Sequence, residues 1–428
     1  MKVFLSHLGC KLNQAEIEQL GRQFLGAGHQ LVGSLMEADL HVLNSCTVTH
    51  IAARDSRKLA RRGRRLNPSL RTVLTGCYVD SDPDEAAALS GVDLVIPNRD
   101  KHRLLERIEE AFPEELSKPD TTGLVPVPYV PLEFGNSRAL VKVEDGCNMR
   151  CSFCVIPMTR GSQRSRPIPE VLREVRQLAA SGYQEVVVTG VQISSYRWQG
   201  CGLFELTRAL LEQTSISRLR LTSIAPWQFD LRLLDLFASQ RLCRHVHLSL
   251  QSGSSATLRR MRRPYTAEEF GELAAHLRQQ IPSIAITTDV IVGFPGESDT
   301  EFEESLHFAA QLRFARLHAF PYSPRAGTEA AELPQQIPVA VKRDRMRRML
   351  AVARESRQRF EQDHAHTTAE VLWEYQRDGA WHGMTDNYLR VALESNEDLA
   401  FRITPVHLAE PNGYGLTGKL SLPASIGT

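Results

Sequence analysis

No apolar run in the 428 residues is long enough to cross a bilayer, so no membrane partner is expected. The opening MKVFLSHLGCKLNQ has only a short apolar stretch ending in polar residues. A secretory leader is therefore not expected, and a cytoplasmic location is. An excess of one charge is also lacking. Lys and Arg number 51 against 50 Asp and Glu, a formal net charge of +1, which by itself predicts no polyanionic partner. Internal repeats and low-complexity tracts are missing, which excludes a repeat array or a disordered chain. Hydrophobic content of 42% with 24% charged residues is that of a globular protein, and the length calls for two or three domains.

What is present is unevenly placed. Eight cysteines in a chain expected in a reducing compartment point to metal or catalytic use, not to a disulfide framework. Cations gather in three places: Arg57 to Arg65, Arg259 to Arg263, and Lys342 to Arg348. Such clusters are the footprint of a nucleic-acid binder, or else solvated helix faces.

The fold class read from the pattern is α/β with a small β-domain appended. Up to about residue 125, short β-branched runs (Val3–Leu5, His41–Leu43, Thr72–Leu74, Asp93–Ile96) alternate with helical segments such as Ala15–Leu25, which predicts a parallel α/β sandwich. The Pro-rich PDTTGLVPVPYVPLEFGN then reads as a linker. A second domain, residues 137–365, carries six strands: RALVKVE, EVVVTG, RLRLTSI, HVHLSLQ, IAITTDVIVGF and RLHAFPYS. Helical stretches separate them, predicting a partial (β/α)6 barrel whose site lies where strands end. A charged helix, Lys342 to His364, leads to residues 366–428. Their short alternating runs predict a small antiparallel β-barrel.

The chemistry is carried first by DGCNMRCSFC. Cys147, Cys151 and Cys154 follow C-x3-C-x2-C directly after a strand. Three thiolates on one tight loop can hold three irons of a 4Fe-4S cube and leave the fourth open. Structural zinc closes its shell with four ligands, and no fourth Cys or His lies suitably near. An open iron can take the amino and carboxylate groups of S-adenosylmethionine (SAM). Phe153 would pack over the adenine, and later strand ends offer Gly190 with Gln192, Ser223, Gln251, and Asp289 ahead of Gly293 and Gly296. A second set, Cys10, Cys46 and Cys77, is scattered in sequence. Each member follows an apolar strand (VFLSHLGC, LHVLNSC, TVLTGC), so a parallel sheet would bring them to one edge. They could hold a second cluster or simply be buried core cysteines. Cys201 and Cys243 match no motif and serve as internal controls.

Residues 138–166, with KVEDGCNMRCSFCVIPMTRGSQRSRP, resemble the core of the radical-SAM methylthiotransferases. The resemblance runs on through TGVQISSY, HLSLQSGS, TTDVIVGFPGE and FPYSPRAGT to the carboxyl terminus. It implies an amino-terminal cluster domain, a radical-SAM barrel and a terminal TRAM RNA-binding barrel of OB-like type. It further implies that Cys10, Cys46 and Cys77 ligate an auxiliary 4Fe-4S cluster carrying the sulfur. One SAM would methylate that sulfur, and a second, cleaved at the Cys147/Cys151/Cys154 cluster, would activate the target carbon. Electrons would come from a small reductant such as a flavodoxin or ferredoxin.

Three branches of that family differ in substrate. GCKLNQAE, NSCTVTHIAARDSRK, MRRPYT and FPYSPRAGT most resemble the branch acting on C2 of N6-threonylcarbamoyladenosine at position 37 of tRNA. The alternatives are isopentenyladenosine in tRNA and an aspartate of a ribosomal protein. WHGMTDNYLRVALES resembles the TRAM domain and favours RNA, and Arg61, Arg62, Arg64 and Arg65 are candidates to grip the anticodon stem. Two departures, SHLGC for the more usual TLGC and Met158 in place of a tyrosine, touch no ligand. GYGLTGKL is no phosphate loop, because Leu420 stands where Ser or Thr is needed and no helix follows. The pairs His364/His366 and His245/His247 lack further ligands at zinc spacing and are read as ordinary histidines.

Overall fold

The computed structural model describes residues 1–113 and 137–420, so the Pro-rich linker expected at 119–136 lies outside the described residues. The first domain is a parallel sheet of five strands: β1 (Lys2–His7), β2 (Gln30–Leu31), β3 (Leu40–Ser45), β4 (Arg71–Gly76) and β5 (Leu94–Ile96). Their order is β2-β1-β3-β4-β5. Every residue of β3 is buried, because alternate side chains face helices on opposite sides of the sheet. Val42 and Val73 join Ile17, Leu20 and Phe24 on one face, and Leu43 and Leu74 join Ala53, Ala60 and Val79 on the other. The two-residue β2, against the β1 edge, is too short to leave a periodic signal in the sequence.

The central domain holds β6 (Arg138–Lys142), the hairpin pair β7 (Glu144–Asp145) and β8 (Arg164–Ser165), then β9 (Glu185–Thr189), β10 (Arg218–Leu221), β11 (His245–His247), β12 (Ala285–Val292) and β13 (Arg316–Pro321). Strands β6, β9 and β10 pair in parallel, as do β11, β12 and β13. Parallel bridges Leu219–Leu242 and Ile224–Leu248 link the two groups. The six long strands thus follow one another in chain order, as an open barrel requires. Helices start where the sequence caps them: Thr266 with Glu269, and Ser298 with Glu301, each close a reciprocal capping box. The charged helix Val339–His364 lies along β13, and Lys342 Nζ donates to the Tyr322 carbonyl at 3.1 Å.

The last domain is a closed barrel of β14 (Thr368–Arg377), β15 (Ala380–Thr385), β16 (Arg390–Glu394), β17 (Ile403–Pro411) and β18 (Leu416–Leu420). It is antiparallel except where β16 meets β18, which run parallel and close the ring. Its turn at 384–388 plugs the lower end of the central barrel. Arg218 donates to the Met384 and Glu370 carbonyls at 3.1 and 2.8 Å, and Arg220 to the Asp386 carbonyl at 2.8 Å. Tyr388 stacks on His245 with ring centroids 4.3 Å apart. None of the described helices is long and apolar enough to cross a membrane.

Candidate active site

In the first sheet β1, β3 and β4 are neighbours, with His7 paired to Asn44 and Ser45 to Gly76. The chain leaves all three at the same edge, and there it places Cys10, Cys46 and Cys77. Glycines allow the approach. A Cβ on Gly9, at φ +97°, would come within 2.5 Å of Cys46 Sγ, and one on Gly76, at φ +99°, within 2.3 Å of the Ser45 carbonyl oxygen. Ser56 fixes Cys46 by accepting from its N–H and donating to its carbonyl, both at 3.1 Å. Asn98 Nδ2 lies 3.8 Å from Cys77 Sγ and donates to the Thr159 carbonyl, tying this edge to the central domain.

The other three cysteines sit in the loop that the β7–β8 pair ties off. The Cys147 N–H donates to the Gly161 carbonyl at 3.1 Å, Met149 N–H to Cys147 Sγ at 3.4 Å, and Cys154 N–H to the Cys151 carbonyl at 3.0 Å. Arg263 Nη1 stands 3.3 Å from Cys151 Sγ, its guanidinium 4.5 Å over Trp227. Burial pushes the Cys46 and Cys154 thiols up to about 12. Such thiols become ligands only where a metal displaces their protons.

One cavity of 650 Å³ reaches from Cys10 to the second set. Cys10 opens onto it from the first domain, and Cys147, Cys151 and Cys154 from the second. Cys46 and Cys77 are buried and do not line it, and Cys46 is close enough to Cys10 and Cys77 to feel the charge of both. Phe153, Gly190 and Gln192 after β9, Ser223, Gln251, and Asp289 within β12 also line the cavity. Ser223 and Gln251 adopt left-handed backbone, at φ 55° and 69°, a strain that concentrates at functional sites. Gln192 is held by its N–H on Glu144 Oε2 at 3.0 Å and its amide on Gln228 at 2.7 Å. Cys201 and Cys243 line no part of the cavity, and Cys243 is buried beside Glu185.

Two groups of three free thiols are the donor chemistry that iron–sulfur clusters take, and the cavity lies between Cys10 and the second group.

Beneath the site runs a buried ionic network that the sequence does not announce. Arg160 meets Glu16, Asp145 and Asn13 at 2.9, 2.9 and 2.6 Å, and Lys101 and Lys142 meet Glu16 at 2.8 and 3.0 Å. Burial alone would raise the Glu16 carboxyl, but these three cations hold it well below the usual carboxylate range. Only the segment GCKLNQAE hinted at Asn13 and Glu16.

Other expectations change. His247 does have further partners. Its Nε2 lies 3.4 Å from one Asp289 oxygen, and His318 Nδ1 lies 3.2 Å from the other. These partners are 42 and 71 residues away, so local spacing could not reveal them. Several members of the Arg259 to Arg263 and Lys342 to Arg348 clusters are taken up in ion pairs within the fold. Arg260 pairs with Glu301, Arg262 with Glu329, Arg345 with Glu297 and Asp299, and Arg348 with Glu303. Arg61, Arg62, Arg64 and Arg65 are exposed, but at the far end of helix His50–Leu66 from the cysteine edge. At 1.5 Å per residue, Arg61 is roughly 16 Å along the axis from His50. The structure does not bring them to the cavity. His364 Nδ1 donates to the Phe360 carbonyl of its own helix, His366 pairs with Glu410, and Gly413–Leu420 runs into a barrel strand.

Residues 141–309 match the radical SAM superfamily, and residues 2–97 match a family described as uncharacterized protein family UPF0004. The first match brings SAM and a 4Fe-4S cluster as cofactors. A threonylcarbamoyladenosine tRNA methylthiotransferase MtaB of Bacillus subtilis is 33% identical over 95% of this chain and 93% of its own length. The protein of that name from Aquifex aeolicus is 36% identical over 93% and 98%. A tRNA-2-methylthio-N(6)-dimethylallyladenosine synthase of Akkermansia muciniphila is 33% identical over 97% and 98%. Among solved structures, the radical SAM methyltransferase TsrM of Kitasatospora setae, with cobalamin and a [4Fe-4S] cluster bound, shares the fold at TM-score 0.54. Its identity is 16%, with 77% of each chain covered. The chain is an enzyme belonging to the radical SAM tRNA methylthiotransferases.

Proposed function

We propose that this enzyme attaches a methylthio group to C2 of N6-threonylcarbamoyladenosine at position 37 of tRNA, in the cytoplasm. The observation that carries the reading is the single cavity onto which all three cysteines of one trio and Cys10 of the other open. Cys147, Cys151 and Cys154 hold one 4Fe-4S cluster, with Phe153, Gly190, Gln192, Ser223 and Gln251 around SAM, and Cys10, Cys46 and Cys77 hold the other. Bound there, the clusters and SAM supply reductive S–C cleavage and the sulfur to be transferred. The chain's own task is placement. Glu144 and Gln228 fix Gln192, Arg263 fixes the Cys151 sulfur, and the Arg160 network keeps the two domains in register.

RNA reaches the site past an apolar rim. Val48 and Phe320 line the cavity and are 46% and 43% exposed, which suits stacking of a splayed-out base. The terminal barrel adds an aromatic and basic patch of Tyr375, His382, Tyr414 and Arg390, with Tyr375 stacked on His382 at 5.0 Å.

The MtaB relatives favour threonylcarbamoyladenosine. The Akkermansia relative, as similar in identity, supports dimethylallyladenosine as the second reading. Mass spectrometry of tRNA nucleosides from cells with and without the gene separates them. The 2-methylthio form of threonylcarbamoyladenosine should vanish with the gene. If only the dimethylallyl form vanishes, the second reading replaces the first.

A further inference from the structure

Along β13 every second side chain faces the barrel interior, so His318 and Phe320 lie side by side on the cavity wall. Asp289 faces the same cavity from β12, and His247 from β11. The ligating atoms of these three residues lie within 4.8 Å of one another. A carboxylate can only accept, so each histidine presents an N–H to it: His247 through Nε2 at 3.4 Å and His318 through Nδ1 at 3.2 Å. The other ring nitrogen of His247 is taken by Thr287 Oγ1 at 3.0 Å. The Nε2 edge of His318 has no protein partner among the described residues, and the His318 side chain is 43% exposed. Asp289, contacted by both histidines, fixes the ring through Nδ1, and His318 lines the cavity. Burial would raise the Asp289 carboxyl, but the two histidines hold it well below the usual range, so it stays a carboxylate and keeps its grip.

We propose that His318, positioned by Asp289 and His247, reads the N6 substituent of the target adenosine and selects a polar substituent over a hydrocarbon one. This rests on the proposed function. The threonylcarbamoyl group carries a carbamoyl carbonyl, a hydroxyl, N–H groups and a carboxylate, so an imidazole edge finds a partner in it in either protonation state. A dimethylallyl group offers none. It would strip water from His318 and leave the ring edge unsatisfied, which disfavours it. Phe320 beside it holds the base by its ring face, and His318 reads what the base carries. In this assignment Asp289 is a positioning residue and not a contact to SAM.

The test uses full-length enzyme with both clusters reconstituted, and two tRNAs carrying either threonylcarbamoyladenosine or dimethylallyladenosine at the same position. Wild type, H318F, H318Q and D289N are compared for 2-methylthio product, for KM of each tRNA and for KM of SAM. H318F should lose about 10- to 100-fold in kcat/KM on the threonylcarbamoyl tRNA, mostly through KM, and gain relative activity on the dimethylallyl tRNA. H318Q, which keeps a hydrogen-bonding end, should recover part of the loss, and D289N should fall between. The KM for SAM should not move in any variant. Unchanged discrimination in H318F, or an equal rise in the KM for SAM, overturns the subsite while leaving the proposed function standing. A wild-type enzyme that modifies only the dimethylallyl tRNA overturns both.

Discussion

Arg160 and Glu16 meet at 2.9 Å across the junction of two domains, both almost wholly buried. Glu16 belongs to the helix that Cys10 opens, and Arg160 closes the short helix after Cys154. This pair, with the Lys142–Glu16 and Arg160–Asn13 contacts beside it, ties the helix that follows Cys10 to the segment that follows Cys154. Removing Arg160 breaks a buried pair but leaves Lys101 and Lys142 on Glu16, so the cost should fall at the low end of the about 3–5 kcal/mol of a broken buried pair. R160M is expected to lower thermal stability by that order and to abolish methylthio transfer. SAM cleavage should survive in the fraction that remains folded, because the Cys147 loop has its own hydrogen bonds. Parallel assays of 5′-deoxyadenosine and product check this. Equal loss of both would show that the network serves the first cluster alone.

Cysteine substitution should sort the eight residues into three classes. Loss of Cys10, Cys46 or Cys77 should lower reconstituted iron from about eight to about four per chain and leave SAM cleavage intact. Loss of Cys147, Cys151 or Cys154 should lower iron equally and end SAM cleavage. C201A and C243A should retain about eight irons and full activity. Iron loss in either control would mean the trios are misassigned.

The six long strands of the central domain and four of the five in the first were legible because short β-branched runs alternate with helices. The cysteine edge followed from strand-end placement alone. Long-range polar partnerships were not legible. Arg160, Glu16 and Lys101 come from three segments and look like ordinary surface charges in the sequence. Arg263 read as part of a cation cluster, yet it reaches Cys151 from 112 residues away. The third cation run misled for a related reason: Arg345 is buried against Glu297, and a run of arginines does not say which of its members face water. Strands β15 and β18 leave little signal because the barrel's Gly-broken segments hide the period of two.

Arg263 donates to a thiol expected to carry iron, and its charge favours the more negative, reduced cluster. R263Q should shift the potential of that cluster downward, on the order of tens of millivolts, and slow SAM cleavage with little change in iron content. Potentiometric titration followed by electron paramagnetic resonance reads this directly. An unchanged potential would leave Arg263 with only its packing on Trp227 and Tyr265.

The exposed arginines of helix His50–Leu66 lie away from the cavity, so their contribution should be to affinity and not to turnover. Replacing Arg61, Arg62 and Arg65 with Gln should reduce the slope of log K against log salt by roughly 2 to 3, with kcat at saturating tRNA unchanged. R64Q alone should matter less, because Arg64 already pairs with Asp93. If affinity for tRNA is the same in the triple variant, this helix end faces no RNA.

His41 offers a pH test remote from the chemistry. It is buried in β3, its Nε2 is 2.7 Å from Ser6 Oγ, and burial lowers it to about 4. The unfolded chain binds a proton at this ring near 6.5, and the folded one does not until about 4. Its contribution to stability is therefore full above about 6.5 and is lost as pH falls toward 4. A tenfold difference in proton affinity between the two states is worth about 1.4 kcal/mol, so wild type should lose about 3 kcal/mol more than H41Q between pH 7 and pH 4. Urea melts of the two proteins at both pH values measure the difference. Parallel losses in the two proteins would mean that His41 is protonated as readily when folded as when unfolded.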